Sequence, residues 1–320
     1  MKLLVTGGAG FIGSNFIRYM LDAYPDYKII NLDKLTYCGN LDNLKDLDCN
    51  TNYRFVQGDI GDALIVQELL DGVDAVVHFA AESHVDRSIL EPSAFVTTNV
   101  LGLNTLLNCC LEAKVERFIN ISTDEVYGST EVGSFSEDDK LDPSSPYSAS
   151  KAAGDLLTRS YWITYKMPVI ITRSTNNFGP YQYPEKLIPL LISNALEDKT
   201  LPIYGDGRNV RDWIYVEDNC RALDLVLHKG KDGEIYNIGA GNEEQNIDIV
   251  NQILQILGKP QELIEYVTDR KGHDRRYSVT TNKVRELGFS LNQDFGEALE
   301  KTVNWYCDNQ WWWEKLKKDM

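Results

Sequence analysis

Asp124 and Glu125 stand side by side in "STDEVYG" (residues 122–128), next to Thr123 and directly after a short apolar run that reads as a strand. Two carboxyls in different protonation states can divide a reaction in which one proton is taken and another is given. An Asp-Glu pair by itself is usually a solvated loop, so its chemistry rests on what accompanies it. Tyr147 and Lys151 in "SPYSASK" are four residues apart and share one face of a helix. A phenol, with an intrinsic pKa of about 10, becomes a base near neutrality when an ammonium lies close by. It can then remove a hydroxyl proton while hydride leaves the same carbon. Tyr24 and Lys28 in "YPDYK" repeat the spacing. Pro25 interrupts the helix there, so this second copy has no common face and is read as inert.

A hydride needs an acceptor, and "LLVTGGAGFIGSN" runs strand, glycine turn, helix, with Gly7, Gly10 and Gly13 spaced G-x-x-G-x-x-G. The first glycine permits the tight turn, the second lets backbone approach a pyrophosphate, and the third lets helix and strand pack closely. The helix N-terminus offers unpaired N–H groups to the phosphates. Asp33, twenty residues beyond Gly13 in "IINLDKLTY", is placed to accept the adenosine ribose hydroxyls and to repel a 2′-phosphate. NAD is therefore expected over NADP, with Lys34 as a cation that offsets part of that repulsion. Asp59 and Ile60, after the third strand, are expected near the adenine.

These groups need a scaffold. Strand-like runs recur at 3–6, 29–33, 54–56, 75–79, 118–122 and 169–172, separated by helical spacing at 11–23, 63–70, 93–113 and 147–165. Such alternation predicts an α/β fold, a doubly wound parallel sheet covered by helices on both faces. After about Gly179 the chain turns to Gly-, Pro- and Asn-rich segments with shorter apolar runs, which predicts a smaller second lobe. We expect an NAD-binding domain at 1–178 and a mainly ligand-binding domain at 179–320, some of whose segments return to the first. The triple tryptophan 311–313 is read as packing or an oligomer contact.

At 320 residues, 43% hydrophobic and 25% charged, the chain has a globular composition. Its formal charge of −16 argues against nucleic acid or an anionic membrane as partner. No run is read as a transmembrane helix and the N-terminus lacks the pattern of a signal peptide, so the expected location is the cytoplasm. Six cysteines form no C-x-x-C pair and are expected to be reduced. Four scattered histidines lack ligand spacing, so no metal is expected.

The glycine turn, the Tyr-Lys pair and the carboxylate pair, in this order, resemble the extended short-chain dehydrogenase/reductase family of nucleotide-sugar enzymes. "FAAESHVDRSI", "STDEVYG", "SPYSASK", "NNFGPYQYPEKLIPL", "PIYGDGRNVRDWIYVED", "YNIG" and "DRKGHDRRYSV" resemble its dTDP-glucose 4,6-dehydratase branch across nearly the whole chain. The resemblance implies a Rossmann-type sheet with a smaller, partly interleaved α/β substrate domain, and a homodimer. It implies oxidation at sugar carbon 4, elimination of water across carbons 5 and 6, and hydride return to carbon 6. By resemblance Glu125 is the base at carbon 5, Asp124 the acid at the carbon-6 hydroxyl, and Thr123 the hydrogen-bond partner of the carbon-4 oxygen, with Tyr147 and Lys151 serving the oxidation.

The resemblance further implies that Phe11 and Ile12, Phe79, Ala80, Ala81, Ser83, Thr98 and Asn177 line the NAD site. Asn176, Lys186 and Leu187 would contact the substrate with Glu185 nearby, Ser83 would also touch the sugar, and Pro202, Ile203 and Tyr204 would flank the base. Arg211, Asn246, Asp269, Arg270 and His273 would serve the nucleotide and its diphosphate. Phe178 and Lys271 depart from the family pattern, which often has Tyr and Pro there. Asp124 separates this reading from GDP-mannose dehydratases, which resemble this region with Ser in its place, and from epimerases and decarboxylases, which expel no carbon-6 hydroxyl. The rival readings are a UDP-sugar epimerase or decarboxylase on the same scaffold, or a non-catalytic NAD-binding protein.

Overall fold

The structure, a computed structural model, describes residues 1–269 and 272–318. The apolar runs of the first half become β1 (Lys2–Thr6), β2 (Lys28–Asp33), β3 (Tyr53–Gln57), β4 (Ala75–His78), β5 (Arg117–Thr123) and β6 (Val169–Ser174). The second half contributes β7 (Asn176–Phe178), β8 (Leu201–Tyr204), β9 (Val210–Tyr215), β10 (Ile235–Ile238), β11 (Glu243–Gln245) and β12 (Ile264–Val267). Seven of these make one parallel sheet in the order β10-β6-β5-β4-β1-β2-β3. Chain order reverses at the β1/β4 neighbours, and the crevice at the carboxyl ends of such strands is where α/β sheets bind ligands.

Alternate side chains feed the two faces of the sheet. Leu3, Val5 and Val77 pack on one side with Phe16 and Ile17 of the helix Phe11–Ala23 and with Leu223 and Val226 of the helix Val216–Lys229. Leu4, Val76 and Phe118 pack on the other with Leu103, Leu106 and Leu107. With both faces covered, central strands such as β4 and β6 are buried throughout. Strand β10, "IYNI", is not among the sequence-derived strands: its four residues adjoin a glycine-rich segment that reads as loop. It nevertheless extends the sheet by pairing with β6.

The remaining strands form a small sheet, β11-β9-β7, and the pair β12-β8. They pack with the helices Leu187–Leu196, Asn246–Leu257, Phe295–Asp308 and Gln310–Lys318 around a second core. Trp312 and Trp313 are each 1% exposed in that core, while Trp311 is exposed. The Trp312 indole N–H donates to Asn43 Oδ1 at 2.8 Å, so the C-terminal helix reaches back to the first lobe.

The run Pro92–Ala113 departs from the sequence reading in two ways. Its helix is interrupted by wider π turns at Thr97–Gly102. It is also long and apolar enough, by length and composition, to cross a membrane. Leu103, Leu106, Leu107 and Cys110 nevertheless pack this helix into the core of the sheet. Tyr24 lies just past its helix and Lys28 opens β2, so the second Tyr-Lys spacing has no common face.

Candidate active site

The cleft begins at the glycine turn. Gly7 has φ +73°, and a Cβ there would lie 2.4 Å from the Ala80 nitrogen at the end of β4. A Cβ on Gly13 would lie 2.5 Å from the Gly7 oxygen, so helix and turn are in van der Waals contact. Gly10 is different: a Cβ would meet only the Gly7 oxygen, at 3.3 Å, and its remaining side is open as a cradle. Gly8 N–H donates to Asn31 Oδ1 at 3.0 Å and Ala9 N–H to Asp33 Oδ2 at 2.9 Å, which ties the turn to β2. Leu35 N–H occupies the other Asp33 oxygen at 2.8 Å. Burial pushes the Asp33 carboxyl up, and these two backbone bonds pull it back. The Lys34 ammonium sits 2.8 Å from Asp59, so its charge is engaged there.

From this cradle a single cleft runs over the ends of β4, β5 and β6, and every residue expected at the cofactor lies in its wall. A glycine cradle that opens into a mainly apolar cleft with a few polar side chains fits a dinucleotide. Ser83, Thr123, Asp124, Glu125, Asn176, Glu185 and Lys186 line the same cleft.

Strand β5 delivers the acids. Thr123 caps the short 3₁₀ turn Asp124–Tyr127 by accepting from Glu125 N–H at 3.2 Å, and its hydroxyl donates to Asp124 Oδ1 at 3.2 Å. Asp124 is 3% exposed, and its Oδ2 is buried without a hydrogen-bond partner. Burial pushes its carboxyl well above the usual range, and repulsion from Glu125 and Asp212 adds to this. The environment of Asp124 therefore favours its protonated form, and its Oδ2 is left without a hydrogen-bond partner.

The helix Pro146–Tyr165 delivers the second pair. Ser145 and Ser148 form a capping box and Pro146 occupies the first turn, which fixes where the helix starts. Tyr147 and Lys151 then reach the cleft one turn apart. Their electrostatics differ from the sequence expectation. Burial and the Glu125 charge push the Tyr147 phenol up, and its hydrogen bond with Thr123 pulls it down. Lys151 donates to the Ile121 carbonyl at 2.7 Å, and burial lowers it to about 8 against the opposing pull of Asp155. Desolvation is the largest influence on both groups, with Lys151 buried and Tyr147 half-buried at the cleft wall.

At the mouth, Glu185 accepts from Tyr37 Oη at 2.8 Å and lies 3.7–3.9 Å from Arg87, Lys186 and His84. Lys186 donates to the Ser83 carbonyl at 2.9 Å, so three separate segments meet there. Asn176 Oδ1 and Asn177 Oδ1 are buried without partners.

The other expected ligand residues that the structure describes lie outside this cleft wall. Leu187 packs against the second core, and Ile203, 1% exposed, is part of it. Arg211 donates to the Val210 and Asp274 carbonyls at 2.7 and 2.8 Å and stacks over Tyr277 at 4.2 Å. His273 pairs with Asp269 at 2.6 Å and meets the Tyr204 ring edge-on. Asn246 Oδ1 is buried and unpartnered at the start of its helix, and Pro202 lies in β8. Arg270 and Lys271 lie outside the described residues. Phe178 sits among Trp213, Tyr215 and Phe295, an apolar setting with no need of a hydroxyl.

The sequence reading missed Cys38, Ser122, Thr175, Gln182 and Tyr183 in the cleft wall and Asp212 behind Asp124. Asp212 had a signal, its place beside Arg211 in "NVRDW"; Ser122 lies within β5 and the rest in connecting segments, with no spacing to mark them.

The family model for GDP-mannose 4,6-dehydratase matches residues 4–302. The low-salt glycan biosynthesis protein Agl12 of Haloferax volcanii is 54% identical over 96% of this chain and 98% of its own. A dTDP-glucose 4,6-dehydratase of Streptomyces niveus is 49% identical over 99% of this chain and 96% of its own. The crystal structure of DesIV, a dTDP-glucose 4,6-dehydratase from Streptomyces venezuelae with NAD bound, superimposes with a TM-score of 0.97. It is 53% identical and covers 99% of this chain and 100% of that one.

Proposed function

Because this chain belongs to the GDP-mannose 4,6-dehydratase family and groups within it with the dTDP-glucose 4,6-dehydratases, we propose that it is an NAD-dependent hydro-lyase. It converts dTDP-glucose to dTDP-4-keto-6-deoxyglucose and water. The observation that carries this reading is the buried acid Asp124 beside Glu125, in one cleft with Tyr147 and the glycine cradle.

The chain's residues divide the work. Tyr147 takes the proton of the carbon-4 hydroxyl while Thr123 holds the carbon-4 oxygen. NAD, which the Gly7–Gly13 turn and Asp33 would hold, would supply a hydride acceptor for carbon 4 and a donor for carbon 6, so none would be consumed. The 4-keto group makes the carbon-5 proton acidic, since the carbanion is delocalised as an enolate, and Glu125 removes it. Asp124 gives its proton to the carbon-6 hydroxyl, which leaves as water. Glu125 returns its proton to carbon 5, and Asp124 regains from solvent one proton as Tyr147 releases one, so the cycle closes with water as the sole loss. A donor must hold its proton before it can give it, and burial beside Glu125 and Asp212 favours the protonated form of Asp124.

Asn176, Glu185 and Lys186 are assigned to the sugar, and Arg211, Asn246, Asp269, Arg270 and His273 to the nucleotide end. The unpartnered oxygens of Asn176 and Asn246 support this. A homodimer is supported by Val96, Leu101, Leu156 and Ile163, each 50–62% exposed on the helical runs 92–113 and 146–165. A cytoplasmic location is supported by six free cysteines, two of them adjacent and buried.

The test is product mass after incubation with dTDP-glucose, UDP-glucose and GDP-mannose separately, with NAD in catalytic amount. Loss of one water from dTDP-glucose alone supports the reading. Unchanged mass in all three, with a carbon-4 epimer formed, would make it an epimerase.

A further inference from the structure

Below the Tyr147/Lys151 pair the same helix face carries a third polar residue, Asp155, at the next four-residue step. Its carboxylate is 1% exposed. Arg173 of β6, 3% exposed, donates to its Oδ2 from Nε at 2.9 Å, and Asn120 of β5 donates to Oδ1 at 3.2 Å. Arg173 continues through Nη1 to Tyr127 Oη at 2.7 Å and lies over that ring. Tyr127 closes the turn that carries Asp124 and Glu125, and its hydroxyl donates to Asn237 Oδ1 of β10 at 2.8 Å. One buried chain of charge-assisted bonds thus joins the helix of Tyr147 and Lys151 to the turn of Asp124 and Glu125.

We propose that Asp155 is a positioning residue: clamped by Arg173 and Asn120 one helical turn from Lys151, it supports the ammonium form of Lys151 and keeps the Tyr147–Lys151 face in register with the Asp124–Glu125 turn. Burial alone would favour a neutral Asp155, and the Arg173 guanidinium bonded to it opposes that. A purely packing role needs no ion pair there, since a buried pair is a poor source of stability compared with apolar groups of equal volume. Among the described residues, the titratable groups that interact electrostatically with Lys151 include Asp155 on its own helix and His78 on β4, with Tyr147 one turn away. His78, hydrogen-bonded to Thr6 and held down to about 3 by burial, is neutral and gives no counter-charge. Asp155 is the group that opposes the desolvation of Lys151. This inference rests on the functional reading above for what Lys151 does, but not for how its charge is held.

The test is competitive acetylation of the folded protein with acetic anhydride across pH, reading the Lys151 peptide by mass spectrometry. In the wild type the midpoint is expected near 8. Asp155→Asn is expected to move it down by about one pH unit or more, with Asp155→Glu restoring it. Because Asp155→Asn strands the Arg173 charge and can unfold the protein, the double variant Asp155→Asn/Arg173→Met is measured alongside and is expected to show the same downward shift. An unmoved midpoint in either folded variant overturns the proposal. A shifted midpoint in a protein that releases no water from any nucleotide sugar would instead leave the proposal standing and reject the functional reading.

Discussion

Replacing Asp124 with asparagine separates the acid from the rest of the site, and its effect on stability is opposite to its effect on rate. The shape is kept and the amide oxygen can still accept from Thr123, but the side chain no longer has a proton to give. General acid catalysis contributes about 10²–10⁴-fold, or about 3–5 kcal/mol of barrier, so dehydration should fall by that factor. Stability should move the other way. The folded pKa of Asp124 is raised above its unfolded value by burial, Glu125 and Asp212. Its stabilising contribution is complete only below the unfolded pKa and is lost as pH rises toward the folded one. In that window the folded state holds a proton that the unfolded state has released, which costs about 1.4 kcal/mol per pH unit. The amide of the variant carries no such cost. Urea unfolding at a series of pH values from about 4 upward, near the unfolded carboxylate pKa, should therefore show Asp124→Asn gaining on the wild type at about that slope, until Asp124 itself ionises. A variant that dehydrates normally, or one that loses stability relative to wild type as pH rises, would refute the protonated-acid argument.

Three further outcomes follow from the geometry. Glu125→Gln should stop water loss and also stop deuterium entering carbon 5 from heavy water; exchange at the wild-type rate would remove Glu125 as the base. Tyr147→Phe should lower turnover by about 10²–10⁴-fold while the melting temperature holds, because the ring is kept and only the proton acceptor is lost. Gly7→Ala combines a φ of +73° with a Cβ 2.4 Å from the Ala80 nitrogen, so calorimetry should show NAD affinity lost together with stability. A variant that binds NAD as wild type does would show that the turn tolerates a side chain.

Much of the catalytic apparatus could be read along the chain because it is encoded locally. A turn that needs glycine, a pair spaced one helical turn apart and two adjacent acids are short-range patterns, and the alternation of apolar runs predicts a parallel sheet without any contact being known. Strand β10 was hidden because four residues carry little periodicity, and its partner β6 lies far earlier in sequence. Protonation states were also out of reach. Sequence places an ammonium one turn from Tyr147, but only the packed structure shows that Lys151 is turned to the Ile121 carbonyl and that burial governs both groups. The same holds for Asp124: its neighbour Glu125 is visible in the chain, whereas Asp212 arrives from β9 and water is excluded by folding. Residue type and spacing are written in the chain; desolvation and long-range charge exist only once distant segments have closed around the site, and these decide which carboxyl keeps its proton.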